Sequence, residues 1–461
     1  MYVSRVAIEN IGPFQGPRTV DLVLSRPDGS HAGWTVLAGR NGAGKTTLLR
    51  ALALAVSGPV PALGLVQDFE DWVTWDALEG RVEAAIVADP HFDAFGTPEV
   101  MSEAFRAGLR WVSPRTRSFD RRSFGYGRGK PTLTEITYPE TQDNPAARNG
   151  PWADNPEGWF CAGYGPFRRL SGGSADVQRL MLASGPVARQ ASLFHTEVAL
   201  AEGVAWLTAQ HLRALEGHEG AAELKRAALN VLQDGLLPDG YRIADVDSEG
   251  LWVERSGRRY PLRQMSDGFR AVAALVVDIL KQIHDAFGDF PVDLGRAPGV
   301  VIIDEIEAHL HVSWQRRIGP WLTTHFPNIQ FIVTTHSPYV CQAADPGGLI
   351  RLPGAGEDAA PEVVPEELYE RVVYGSGDDA VLSDLFGLDT PYSEQAERTR
   401  AEFVALETKV YDGDTSPDTV ERYQELKHRL SSSPAARVQE MSAQLHRIAR
   451  EVGDGEGGET E

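Results

Sequence analysis

The chain has 461 residues, 42% of them hydrophobic, enough for a large core and two or three structural units. Its 65 Asp and Glu outnumber 44 Lys and Arg, and the net charge of −21 argues against a broadly basic, DNA-coating surface while leaving room for a local basic groove. Two cysteines, Cys161 and Cys341, make no metal framework and argue for a reducing cytoplasm. No apolar run approaches the ~20 residues of a membrane span, so no membrane is expected, and residues 1–6 read as a strand rather than a secretory leader.

Residues 2–8 and 19–24 predict two strands around Asn10-Ile11-Gly12-Pro13-Phe14. Residues 34–38 predict a third. The next eight, Gly39-Arg40-Asn41-Gly42-Ala43-Gly44-Lys45-Thr46, fit G-x-x-x-x-G-K-[ST], and Thr47 begins a run of helix formers reaching residue 54. Strand, glycine-rich loop and helix start form a phosphate cradle: backbone N–H groups close around phosphate oxygens, and the helix N-terminus adds partial positive charge. Lys45 is expected to reach the terminal phosphates and Thr46 to hold Mg²⁺.

Residues 82–88 suggest a further strand. From about 90 to 160 the chain is rich in Gly, Pro, Asn and charge, and reads as a loop-rich insertion. Within it Arg115, Arg117, Arg121, Arg122, Arg128 and Lys130 interleave with Phe119, Phe124 and Tyr126. Two readings stand, a track for a nucleic-acid backbone and a solvated loop balancing nearby acids. Residues 176–238 read as helical, with Leu224, Ala227, Ala228, Val231 and Leu232 on one face. Residues 241–246 and 251–255, joined by Asp247-Ser248-Glu249-Gly250, predict a hairpin. Ser266-Asp267-Gly268 then opens a helix over 271–283, a weak anion-site signal by itself.

The apolar run 299–303 ends abruptly in Asp304-Glu305. A strand apolar on both faces belongs inside a parallel sheet, and acids at its C-terminal end lie where open α/β sheets bind ligands. Asp304 is therefore expected to help position Mg²⁺, and Glu305 is the candidate base for the attacking water. A similar run, 331–335, ends in His336, which is placed to hydrogen-bond a γ-phosphate.

Taken in order, the phosphate loop, Ser266-x-Gly268, Asp304-Glu305 and His336 resemble the nucleotide-binding head of ABC-type ATPases. The resemblance implies an α/β fold, ATP with Mg²⁺, and a homodimer or higher homo-oligomer joined head to head, in which Ser266 and Gly268 complete the partner's ATP site. The opening hairpin resembles that of RecF, SMC and OLD-type heads, and the run from Glu305 to His311 resembles the OLD and RecF group. No sustained heptads separate Lys45 from Ser266, unlike SMC and Rad50-type chains. The expected organisation is a head in two parts, 1–89 and 239–380, a loop-rich and helical insertion over 90–238, and a helical C-terminal extension over 381–461.

In that extension, helices are expected over about 394–410, 417–430 and 434–452, and Ser416-Pro417 and Ser433-Pro434 give cap-plus-proline starts. Val438, Met441, Leu445, Ile448 and Val452 form an apolar stripe on the last, and the acidic, Gly-rich end from Gly453 is expected to be disordered. Asp412-Gly413-Asp414 has Toprim-like spacing, but no apolar strand precedes it and a solvated turn is the better reading. No HNH pattern is present either.

Several softer stretches resemble the PtuA-type ATPases of Septu and retron anti-phage systems. They are residues 163–172, Ser192-Leu193-Phe194, Trp206-Leu207, Tyr374-Gly375, Val381-Leu382 and Leu385-Phe386-Gly387-Leu388. This resemblance implies an ATPase that controls a separately encoded HNH nuclease, PtuB-like, on DNA. His311-Val312 departs from the commoner His-Pro. The glutamine that contacts Mg²⁺ in this class is left open among Gln67, Gln142 and Gln178, and Arg168 and Arg169 are left between nucleotide contact and support of the head. The rival readings are a RecF-like repair ATPase and a non-catalytic ATP switch.

Overall fold

The computed structural model describes residues 1–430 apart from 27, 90, 94–103, 114, 119–124, 129, 140, 142, 155, 157, 169–178, 183–184, 289–293 and 414–415. Two compact units result, Met1–Gly387 and Leu388–Glu461.

The larger unit is organised by a sheet whose strands run, edge to edge, Glu362–Val363, Leu349–Arg351, Trp34–Ala38, Ile329–Thr335, Gly299–Ile303 and Cys161–Tyr164. All neighbours are parallel except the pairing of Leu349–Arg351 with Glu362–Val363. Trp34–Ala38, Gly299–Ile303 and Ile329–Thr335 are buried at every position, as a sheet covered on both faces demands. Alternate residues divide between two cores. Val36, Val301, Ile303, Phe331 and Val333 face one, with the helix Asp267–Phe287. Leu37, Val300, Ile302 and Ile332 face the other, with the phosphate-loop helix Lys45–Ser57. That helix is buried on nearly all sides, because a second, antiparallel sheet covers its far face.

The antiparallel sheet has the order Val20–Val23, Tyr2–Glu9, Glu79–Val87, Phe105–Val112 and Thr132–Glu135. Here one face is buried, and Glu79–Val87 alternates accordingly. A third sheet, Arg242–Asp247, Gly250–Arg255 and Arg258–Pro261, contains the expected hairpin plus one more strand. Two sheets about a phosphate-loop helix, with the Ser266 helix on the opposite face of the parallel sheet, make an ABC-type α/β head.

The reading of 90–238 as a mere insertion is corrected. Phe105–Val112 pairs with Glu79–Val87 through Ala84 and Ala107, and Cys161–Tyr164 pairs with Gly299–Ile303. Both strands therefore belong to the head. Phe105, Ala107, Leu109 and Trp111 are all buried, a period-two signal in a stretch otherwise dominated by turn residues. The head also extends past 380: Leu385 is buried in its core, and the compact unit closes at Gly387.

In the smaller unit, the helices Glu394–Tyr411 and Pro417–Leu430 are joined by stacking of Phe403 on Tyr423 and by an ion pair from Arg422 to Glu402, while Glu425 pairs with Arg422 within the second helix. Asp412 closes the first of them. The helix expected over 434–452, its stripe and the acidic end lie outside the described residues.

One buried bond crosses the larger core. The Tyr164 hydroxyl donates to Asp278 Oδ2 at 2.9 Å, linking the edge strand to the Asp267–Phe287 helix. Burial pushes the Asp278 carboxyl from its ordinary 3.8 up to about 6; Asp285 adds to the shift, while the Tyr164 bond and Lys281 oppose it. Between those values the folded state holds a proton that the unfolded state has released, so this group's contribution to stability falls as pH rises from about 4 to about 6. Asp278→Asn is expected to remove up to about 3 kcal/mol of that dependence. The check is the wild-type-minus-variant difference in urea unfolding at pH 4.5 and pH 8; an equal difference at both refutes the assignment.

Candidate nucleotide site

The parallel register brings four strand ends to one edge. Ala38 lies beside Thr335, Val333 beside Ile303, and Ile303 beside Tyr164. The segments that leave this edge are the phosphate loop, Asp304-Glu305, His336 and Gly165–Arg168.

The loop is shaped by close approaches. A Cβ on Gly39 would stand 2.5 Å from the Leu352 carbonyl oxygen. Gly44, at φ +99°, has no room either: a Cβ would be 2.6 Å from Phe14 Cζ. Gly42 also has positive φ, while Arg40, Asn41 and Gly42 are exposed and Ala43 is buried. Thr47 packs against Gly12 of the opening hairpin. Arg40 donates to the Gly387 carbonyl at 2.6 Å, and Arg18 holds the loop from behind through the carbonyls of Ala43 and Pro353. Beside the loop a cavity of about 610 Å³ is lined by Asn10, Pro13, Gln15, Asp76, Ala355 and Asp358, among others.

Lys45 is only 7% exposed, and its Nζ donates to the carbonyls of Gly39 at 2.7 Å and Arg40 at 3.2 Å. Burial pulls its pKa down, and Asp304, Glu305 and Glu307 pull it back up. Thr46 Oγ1 donates to Asp304 Oδ2 at 2.8 Å, and Thr334 Oγ1 donates to Asp304 Oδ1 at 2.6 Å. The loop and the acidic strand are thus joined through one buried carboxylate. Glu305 follows in a left-handed conformation, φ +47°, with its backbone N–H donating to Thr334 Oγ1 at 2.8 Å. The turn brings its partly exposed carboxylate out beside the site.

Exposed His336 lies at the end of Ile329–Thr335, where its backbone N–H donates to Glu307 Oε1. Thr335 Oγ1 donates to Glu307 Oε2 at 2.7 Å. Glu307, Thr334 and Arg168 are contributors that sequence reasoning missed or left open. The two Thr residues before His336 were the available signal; for Arg168 there was none, since its contacts lie far along the chain. Its guanidinium donates to the backbone carbonyls of Asp304 and Glu305, which favours support of the head over nucleotide contact.

Ser266 is the exposed N-cap of the helix Asp267–Phe287, and its side chain makes no capping bond. Gly268 packs on the loop that follows the acidic strand: a Cβ there would meet the His309 carbonyl oxygen at 2.5 Å. Gly268 is therefore tied to the Asp304–His309 loop, and among the described residues no hydrogen bond joins Ser266 or Gly268 to the phosphate loop.

Of the three glutamines, Gln67 is exposed on the lining of a separate cavity of about 700 Å³ that includes Arg50 and Trp72, and Gln142 and Gln178 lie outside the described residues. Arg169 lies outside them too, as do Phe119, Arg121, Arg122 and Phe124 of the basic segment. Arg115–Ser118 and Gly125–Arg128 pair as a two-stranded ribbon, and Lys130 forms an ion pair with Asp68, in keeping with charge balance at that position. His311 caps the short helix Val312–Gln315 without a proline. Among the described residues no helix is long and apolar enough to cross a membrane, and no cluster of three His, Cys, Asp or Glu is poised to hold a metal.

Comparison with known proteins adds family context. Residues 216–342 match the AAA domain described as putative AbiEii toxin, Type IV TA system, and residues 5–79 match a second AAA domain model. The chain is 39% identical over 114 residues to the retron Ec83 probable ATPase of Escherichia coli, covering 25% of this chain and 21% of that one. It is 25% identical over 340 residues to the Septu protein PtuA of Bacillus mycoides (strain KBAB4), covering 73% of this chain and 38% of that one. The PtuA of Bacillus thuringiensis is 30% identical over 175 residues, 37% of this chain and 43% of that one. The chain thus spans less than half the length of these curated relatives. Among solved structures, an SMC head bound to the C-winged helix domain of ScpA aligns over 79% of this chain and 98% of its own, at 16% identity and a TM-score of 0.44. By sequence, the chain is similar to PtuA-type and retron ATPases.

Proposed function

We propose that this relative of the PtuA-type ATPases binds and hydrolyses ATP as an anti-phage defence subunit, and that its ATP state controls a separately encoded HNH nuclease acting on DNA. The observation that carries the ATPase reading is the Thr46–Asp304–Thr334 chain, which joins the phosphate loop to the acidic strand with Glu305 one residue beyond.

The hydroxyl of Thr46 and the carboxylate of Asp304 are hard oxygen donors 2.8 Å apart, a set that suits Mg²⁺. When bound, the ion neutralises charge on the β- and γ-phosphates. Lys45 and the backbone N–H groups from Gly39 to Thr47 hold the phosphates. The cavity beside Pro13 and Asp358 takes the base end of the nucleotide. Glu305 accepts a proton as water oxygen bonds to the γ-phosphorus and the bond to the β–γ bridging oxygen breaks. His336 donates a hydrogen bond to the departing γ-phosphoryl group. Ser266 and Gly268 complete the site of a second copy, so that two heads close over two ATP molecules.

Nuclease control rests on similarity to PtuA. It is checked by co-purifying the protein with the products of adjacent genes and assaying DNA cleavage with and without ATP. Glu305→Gln is the test of hydrolysis. It is expected to keep ATP affinity and to lower turnover by roughly 10²-fold or more, the scale of a lost general base. Wild-type turnover in this variant places the base elsewhere. Full defence activity despite lost turnover identifies a binding switch.

A further inference from the structure

We infer that Arg168 is a positioning residue that clamps the Asp304–His309 loop, fixing the Glu305 backbone at one end and the seat of Gly268 at the other. Its link to hydrolysis rests on the ATPase reading above; the clamp itself does not.

The loop does not hold its shape by local preference. It leaves a fully buried strand and passes through two non-glycine residues in the left-handed region, Glu305 at φ +47° and His309 at φ +68°. Such a backbone conformation is strained for a residue with a side chain and persists only where its surroundings enforce it. The loop's N–H groups find backbone partners: Asp304 donates to Tyr164, Ile306 to Thr334 and Ala308 to Glu305.

Arg168 supplies the matching donors for the carbonyls. Nη1 donates to Gly165 at 2.9 Å and Asp304 at 3.1 Å. Nη2 donates to Glu305 and Ile306 at 3.1 Å each and to Ala308 at 3.4 Å. One planar fork therefore ties its own strand end to four carbonyls of the loop. The side chain is 3% exposed, and among the described residues no carboxylate hydrogen-bonds it; Glu307, Asp304 and Glu305 favour its charge from nearby. Burying a cation is costly, and here the carbonyl hydrogen bonds and the nearby acids offset that cost. Lysine cannot reproduce the arrangement, because its ammonium has three donors and no plane.

The far end of the loop carries the second consequence. The His309 carbonyl fits only because Gly268 has no side chain. A shift of the loop therefore moves the Ser266–Gly268 turn as well as Glu305, which makes the loop a strut between a head's own catalytic carboxylate and the group it presents to another copy.

The test compares wild type, Arg168→Lys and Arg168→Ala by amide hydrogen exchange without nucleotide. In both variants, amides of residues 305–310 and 267–270 are expected to exchange at least about tenfold faster, while residues 34–38 and 45–57 keep wild-type protection. With ATP, affinity is expected to stay near wild type and kcat to fall about tenfold or more without a matching rise in KM, because misplacing a reacting group is felt at the chemical step. Free guanidinium should partly restore the alanine variant and leave the lysine variant unchanged. Unchanged exchange over 305–310 in a folded variant overturns the clamp, whether or not the protein hydrolyses ATP. Faster exchange with normal kcat overturns the positioning role. Absence of hydrolysis in wild type counts against the proposed function alone, and exchange then decides the clamp. If the alanine variant does not fold, the lysine variant supplies the same readouts.

Discussion

Lys45→Ala is expected to abolish tight ATP binding while leaving the head folded. The lysine sits at the first turn of a helix whose Leu48, Leu49, Leu52 and Val56 are fully or almost fully buried between two sheets, so the helix is held by packing that the substitution does not touch. What is lost is the ammonium. It is buried, and burial lowers its pKa, but Asp304, Glu305 and Glu307 keep it favourably charged. In the proposed nucleotide complex it exchanges the carbonyls of Gly39 and Arg40 for β- and γ-phosphate oxygens. Charge-assisted hydrogen bonds are worth about 1.5–3 kcal/mol each, so losing two costs at least roughly 10²-fold in affinity. Calorimetric titration with ATP and Mg²⁺ measures it directly. Unchanged affinity rejects the phosphate-loop assignment, and a loss of cooperative unfolding in the same variant shows that the effect is on folding instead.

The parts of this site legible in the sequence are those whose chemistry is contiguous. The phosphate loop declares itself because glycines, lysine and threonine must follow one another along the backbone that wraps the phosphates. Asp304 and Glu305 declare themselves because a strand buried on both faces tolerates charge only at its end, and Gly299–Ile303 is buried throughout. His336 follows the same logic one strand over. What stayed hidden depends on register between distant segments. Cys161–Tyr164 is a four-residue strand with a glycine, too short to carry a period, yet it pairs beside the acidic strand and aims Arg168 beneath it. Glu307 reads as one acid among several, and only the return of Thr335 and His336 along the sheet gives its carboxylate two donors. Phe105–Val112 did carry an alternating pattern, but its loop-rich surroundings outweighed it. The assignment of 90–238 to an insertion failed for that reason.

Ser266→Arg should block hydrolysis without weakening ATP binding to the same subunit's Lys45, because in the proposed dimer the two residues serve different sites. Ser266 is exposed at the start of a helix lying across the parallel sheet from Lys45–Ser57, and its neighbour Gly268 is packed on the His309 carbonyl. In the proposed composite site, a ligand held by the phosphate loop is met by the Ser266 turn of another copy. An arginine there places a long cation where the partner's γ-phosphate must sit and keeps the two heads from closing. Mixing this variant with Lys45→Ala separates the composite site from a self-contained one. In a mixed pair, one site has an intact Lys45 facing an intact Ser266, and the other carries both lesions. Random pairing of equal amounts leaves about a quarter of all sites whole, so activity should return toward a quarter of wild type if sites fire independently. If both sites must fire together, the mixture stays silent, and ATP-dependent dimerisation by light scattering then shows whether the mixed pair still closes. Normal hydrolysis by the Ser266→Arg protein alone removes the shared site altogether and reduces Ser266-x-Gly268 to the start of a helix.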